Sequence, residues 1–241
     1  MWRNTLIILV AALAVPALAE EMPLVFEDDF EAETVERWEM TDPRAWGIEE
    51  DGDEQVLALK RPSRYEPPVR APRSVALVQG LDVGDFALEV RAKQTGREYN
   101  HRDLCVFFGY QDPANFYYVH LASVADPHAN SIFLVDDAPR VSIAEERTDG
   151  TQWTNDWHTL RIERETESGA IRVYFDDMEE PVMRTTDKTF LSGTVGLGSF
   201  DDKGHFDKLK VWGTPPATGE GSENKPDEGS EDKPAQGSEK K

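Results

Sequence analysis

The chain has 241 residues, one cysteine and a formal net charge of −21 at pH 7. Such acidity argues against nucleic acid or an anionic membrane surface as partner, because both would repel it. A lone thiol excludes an intrachain disulfide, so the fold must rest on an apolar core of its own.

Residues 1–19 read as an export signal. Arg3 supplies a positive start, "LIILVAALAV" an apolar centre, and "ALA" before Glu20 a small-residue cleavage site. The apolar run is too short to cross a bilayer as a helix and no second run follows, so the expectation is export to the periplasm or beyond, without membrane insertion. Residues 20–213 form the expected folded domain, long enough to build one sizeable core. Within it, helix periodicity is nearly absent; "EAETVERW" offers a turn or two at most.

Strand signals are dense. "DFALEVRAK" sets Phe86, Leu88, Val90 and Ala92 against Ala87, Glu89, Arg91 and Lys93, a strand with one wet face. "TLRIERE", "AIRVYFD", "TVGLGSF" and "FDKLKVWG" repeat the theme between turn residues. Roughly a dozen short strands without βα alternation predict an all-β, two-sheet antiparallel sandwich or jelly roll in a single domain. Residues 214–241 are another kind of polymer, with "GSENKPDE", "GSEDKPAQ" and "GSEKK" starting at Gly221, Gly229 and Gly237. This acidic low-complexity tail has too little apolar surface to offset chain entropy and is expected to be disordered.

"FEDDFEAETVERWEM" with "WGIEEDGDEQVLALK", then "NDWHTLRIERETESGAIRVYFDDMEEPVM", and finally "GTVGLGSFDDKGHFDKLKVWG" resemble, in order, the entry strands, Trp-led hairpin and closing strands of concanavalin A-like and laminin G-like sandwiches. The pattern is also similar to secreted bacterial 3-keto-disaccharide hydrolase-type domains. This resemblance implies the jelly roll. It leaves activity open, because that architecture hosts lectins, glycanases, lyases and adhesion modules. Laminarinase-like enzymes of this fold place carboxylates at alternate positions of one strand. Here Asp176, Met178 and Glu180 lack the central Asp and fall at the expected hairpin turn, which disfavours that mechanism. The resemblance further implies a structural calcium tying first strand to last, with Asp28, Asp29 and Asp207 as its oxygen ligands.

The segment His101–Leu121, "HRDLCVFFGYQDPANFYYVHL", carries the candidate site. Leu104–Phe108 is apolar on both faces and belongs mid-sheet, with Cys105 a packed core thiol. In the next strand Tyr117, Val119 and Leu121 face the core, while Phe116, Tyr118 and His120 form a polar-aromatic row suited to stacking on sugar rings and bonding hydroxyls. His101, Arg102, Tyr110 and His128 stand at the strand ends and complete the candidate ligand-binding set. The favoured reading is a carbohydrate-binding module for a polysaccharide or oligosaccharide. The alternative is a carbohydrate-active enzyme, a hydrolase or a lyase on keto- or uronate sugars, in which His120 or Tyr118 moves the proton and Arg102 stabilises developing charge. A laminin G-like adhesion module is a third reading.

Overall fold

The computed structural model describes residues 22–32 and 35–216; the expected export signal and the tail repeats lie outside the described residues. Sixteen strands follow one another: β1 (Leu24–Asp28), β2 (Trp38–Met40), β3 (Trp46–Asp51), β4 (Glu54–Leu59), β5 (Ser74–Val78), β6 (Phe86–Gln94), β7 (Asp103–Asp112) and β8 (Asn115–Ala122). Then come β9 (Ser131–Asp136), β10 (Val141–Ser142), β11 (Glu146–Arg147), β12 (His158–Arg164), β13 (Ala170–Phe175), β14 (Met183–Thr186), β15 (Thr194–Ser199) and β16 (Gly204–Gly213). The count exceeds a dozen partly because β10 and β11, two residues each, are too short to show alternation. The "EAETVERW" stretch supplies one short 3₁₀ turn, Val35–Arg37.

A nine-stranded sheet runs β11-β14-β13-β12-β6-β16-β4-β3, with β1 added on β16. A seven-stranded sheet runs β10-β9-β8-β7-β15-β5-β2. The pairings are antiparallel, and β7, β8 and β9 form the meander read from the sequence. Between the sheets lie Leu88, Val90, Leu104, Val106, Phe108, Tyr117, Val119, Leu160, Leu197 and Val211, all buried. Period-two alternation therefore places Tyr117, Val119 and Leu121 inward and aims Phe116, Tyr118 and His120 outward. Asp176 begins the connection after β13 in left-handed backbone (φ 61°), with the Asp177 N–H donating to the Phe175 carbonyl at 2.7 Å. The acidic run Asp176–Glu180 is thus a turn, not a catalytic strand.

Candidate functional site on the seven-stranded sheet

The two outer faces differ in kind. On the nine-stranded sheet charges pair with one another: Lys93 reaches Asp51 at 2.8 Å, with His205 Nδ1 2.9 Å from the same carboxyl, and Arg91 bridges Glu54 and Asp207 (3.1 and 3.2 Å). Arg161 meets Glu163 at 2.9 Å and Arg172 meets Glu165 at 2.6 Å. Several charges of that face are thus already paired.

The seven-stranded sheet instead carries a second apolar cluster on its outer side. Val75 and Leu77 of β5, Cys105 and Phe107 of β7, Phe116 and Tyr118 of β8, and Phe133 and Val135 of β9 form it. Tyr118 stacks on Phe133 (ring centroids 5.1 Å apart) and Tyr110 stacks on Phe116 (4.9 Å). A roof covers the cluster. Residues 60–73, between β4 and β5, contain Pro62, Pro67, Pro68 and Pro72, which have no N–H to give a sheet ladder. This strap therefore lies across the sheet, with Val69 and Ala71 packed on the cluster. It is tied down by Ser63 N–H to Ser74 Oγ (3.0 Å), Arg64 N–H to Asp42 Oδ2 (3.2 Å) and Arg140 N–H to the Arg70 carbonyl (3.1 Å).

The polar-aromatic row is accordingly closed to a ligand in this arrangement. Phe116, Tyr118 and His120 keep 2%, 0% and 4% of their surface, because the strap, Arg140 and Phe200 lie against the face that alternation turns outward. Arg140 is the keystone. Its guanidinium sits over the rings of Phe200 (4.3 Å) and Phe133 (4.7 Å), and donates to Tyr118 Oη (2.6 Å) and the His128 carbonyl (2.9 Å).

Beside it lies a buried proton network. The His120 Nδ1 accepts the Asn130 N–H (3.4 Å), which leaves the ring proton on Nε2, 3.6 Å from Asp103 Oδ2. That same oxygen accepts the Phe200 N–H (2.9 Å), the Ser199 hydroxyl (3.1 Å) and the Cys105 thiol (3.2 Å). Asp103 Oδ1 is buried with no hydrogen-bond partner. Burial, reinforced by the neighbouring Asp202 carboxylate, pushes the Asp103 carboxyl up to about 8. Burial, with Arg140 nearby, pushes His120 down to about 3, and burial likewise raises the Cys105 thiol and the Tyr118 phenol. A neutral imidazole, an un-ionised thiol and an un-ionised phenol make a closed internal network, with no nucleophile or base facing solvent.

The remaining predicted residues separate. Arg102 points to the opposite side of β7, buried, donating to Gln94 Oε1 (3.2 Å), the Gln94 carbonyl (3.0 Å) and Asn155 Oδ1 (2.7 Å). The turn from one residue to the next puts Arg102 and Asp103 on different faces, so they form neither a pair nor one groove with His120. His101 and His128 meet through Asp126: His101 Nε2 is 2.6 Å from Asp126 Oδ2, and the His128 N–H donates to Oδ1 at 2.6 Å. Tyr110 remains half-buried at the edge of the aromatic cluster.

The carboxylates expected to hold calcium do not gather. Asp28 accepts the Trp38 indole N–H and the Phe30 N–H (both 2.9 Å), while Asp207 takes Arg91 and the Lys208 N–H. Among the described residues, the ligand atoms that converge within 4.8 Å are those of Asp103, Cys105 and His120, or Asp103, Asp201 and Asp202. The first trio does not fit a metal, because the His120 nitrogen facing it carries the ring proton. Chelation with EDTA is therefore expected to leave the thermal midpoint unchanged. A fall of several degrees that added calcium reverses would show a bound cation, held either by Asp103, Asp201 and Asp202 or by a rearranged Asp28, Asp29 and Asp207.

The strap, Arg140 and Phe200 escaped the sequence reading. One signal was present: in this acidic chain, residues 60–73 hold Lys60, Arg61, Arg64, Arg70 and Arg73 against the single acid Glu66. Pro67, Pro68, Val69, Arg70, Arg73 and Phe200 line an open depression of about 520 Å³ above the buried row.

No protein-family model and no curated protein matches the chain. Solved structures do. The carbohydrate-binding module CBM66 from Bacillus subtilis superposes with a TM-score of 0.51 at 18% identity, covering 73% of this chain and 95% of that one. The winged bean acidic lectin, complexed with methyl-α-D-galactose, gives 0.52 at 14% identity over 77% and 96%. The GH43 protein BlXynB from Bacillus licheniformis gives 0.56 at 12% identity, over 78% of this chain and 39% of that one. At such identities the likeness is one of fold, and with the two antiparallel sheets it shows a two-sheet jelly-roll sandwich.

Proposed function

We propose that this is an exported carbohydrate-binding protein that holds a glycan against the outer side of its seven-stranded sheet, on the strap rather than on the strands. The observation that carries this reading is the depression above the strap, where the half-buried Phe200 ring and the Pro67-Pro68 surface adjoin the polar side chains of Glu66, Arg70 and Arg73. Flat apolar surface beside hydrogen-bonding groups is what a pyranose ring requires. The fold likeness to a carbohydrate-binding module and a lectin supports the same reading, and the sequence of residues 1–19 supports export. Among the described residues no helix is long and apolar enough to cross a membrane.

Affinity electrophoresis of the full chain through gels containing a panel of polysaccharides tests it. At least one polysaccharide is expected to retard the protein. Phe200→Leu, which keeps apolar bulk but removes the ring, should weaken that retention by about 1 kcal/mol, roughly five-fold. Trp157→Ala alters the opposite sheet, where Arg91 sits 4.8 Å over the indole, and should leave retention unchanged. The reverse pattern would move the site to the nine-stranded sheet, and a folded protein retarded by no polysaccharide would end the proposal.

A further inference from the structure

We propose that the strap selects acidic polysaccharides, with Arg70 and Arg73 binding sugar carboxylates beside the fixed charge of Arg140. This rests on the glycan-binding reading above and adds the chemical class of ligand. The chain holds 47 acidic residues and 26 lysines and arginines, so an exposed arginine has abundant partners. On the nine-stranded sheet Arg91, Arg161 and Arg172 have all found theirs. Arg70 and Arg73 are exposed, line one depression, and form no ion pair within 4.0 Å among the described residues.

Two acids stand nearby. Glu66 is on the rim, and the Asp201 carboxyl follows Phe200 in the chain, raised on balance by desolvation and by Asp202 against the smaller opposing pull of Arg73, Arg140 and His101. Arg73 shares the depression with Phe200, and Arg140 lies 4.3 Å over the same ring, although the two arginines come from segments far apart in the chain.

The cations are also pre-positioned. Arg140 is clamped between two rings and two hydrogen-bond acceptors, and its buried Nε makes no hydrogen bond. The strap bearing Arg70 and Arg73 is stiffened by Pro67, Pro68 and Pro72 and pinned at both ends, by Asp42 to the Arg64 N–H and by the Thr41 hydroxyl to the Arg73 carbonyl at 2.7 Å. A guanidinium meets a carboxylate through two parallel N–H···O bonds, the strongest neutral-pH pairing that side chains offer a uronic acid. The rest of this acidic surface repels a polyanion, so only a chain laid along the strap gains from binding. Electrostatics then specify the place as well as the ligand.

The test compares the full chain with Arg70→Gln/Arg73→Gln on polygalacturonate, dextran sulfate and neutral dextran, with thermal midpoints confirming that both proteins fold. Polygalacturonate is expected to bind the parent, and the double variant to bind it about tenfold or more weakly. Binding of dextran alone, equal in both proteins, would overturn the charge inference and leave the glycan reading standing. Binding of dextran sulfate in preference to polygalacturonate would overturn the carboxylate assignment. No binding to any polymer in the wider polysaccharide panel would remove the glycan reading itself.

Discussion

Asp103→Ala is expected to destabilise the protein by about 3 kcal/mol or more, because it strips the acceptor from several buried donors at once. The Phe200 N–H, the Ser199 hydroxyl and the Cys105 thiol all donate to Asp103 Oδ2, and the Nε2–H of His120 stands 3.6 Å from it. Asp103→Asn keeps the shape and an acceptor oxygen, so its cost should be smaller and its main effect should be on pH dependence. The Asp103 carboxyl is raised from 3.8 to about 8, so the folded state keeps a proton that the unfolded chain releases. Its contribution is complete below 3.8 and is lost as pH climbs through about 8. His120 is lowered from 6.5 to about 3, so its contribution is complete above 6.5 and is lost as pH falls toward about 3. Between 3.8 and 6.5 the two slopes oppose each other; from 6.5 to about 8 that of Asp103 acts alone. Stability should therefore decline across that upper window, by at most about 1.4 kcal/mol per pH unit. Urea midpoints measured from pH 5 to 9 should show this decline in the parent and its absence in Asp103→Asn. Superimposable profiles would show that the Asp103 carboxyl does not hold the proton.

Gly198→Ala is expected to cost more than about 3 kcal/mol and to collapse soluble yield. β15 lies between β5 and β7, and Gly198 pairs with Val75 on one side and Cys105 on the other. A Cβ at Gly198 would collide with the Ser74 carbonyl oxygen and come within 3.0 Å of the Phe107 ring. Neither can retreat: the carbonyl belongs to the paired backbone, and Phe107 is locked between Phe116 and Tyr118 (5.8 Å to each). Gly52→Ala is the comparison, since it has φ +73° but nothing within 4 Å. It should cost only the left-handed backbone penalty, about 1 kcal/mol. If the two variants unfold at the same urea concentration, the close approach over β15 is not what holds the outer cluster together.

The sheet was legible because period-two alternation is a local property. "DFALEVRAK" became β6 with Leu88, Val90 and Ala92 buried and Glu89, Arg91 and Lys93 half-exposed, and the Leu104–Phe108 run became the buried middle of β7. The same alternation correctly separated Tyr117, Val119 and Leu121 from Phe116, Tyr118 and His120. It could say which side of the strand a ring takes, and nothing about what covers that side.

Covering is decided by tertiary structure. Residues 60–73 have no strand or helix period, and only packing of Val69 and Ala71 on the β7–β8 face reveals them as a roof. Arg140 and Phe200, distant in sequence, are joined by a cation–ring contact that no local pattern encodes. The sequence by itself determined the all-β sandwich, the mid-sheet hairpin and its inner face, because backbone geometry ties side-chain direction to residue parity. Only the tertiary structure decided that the outward aromatic row is a second core and that the accessible surface above it is basic, because burial depends on which distant segment arrives there.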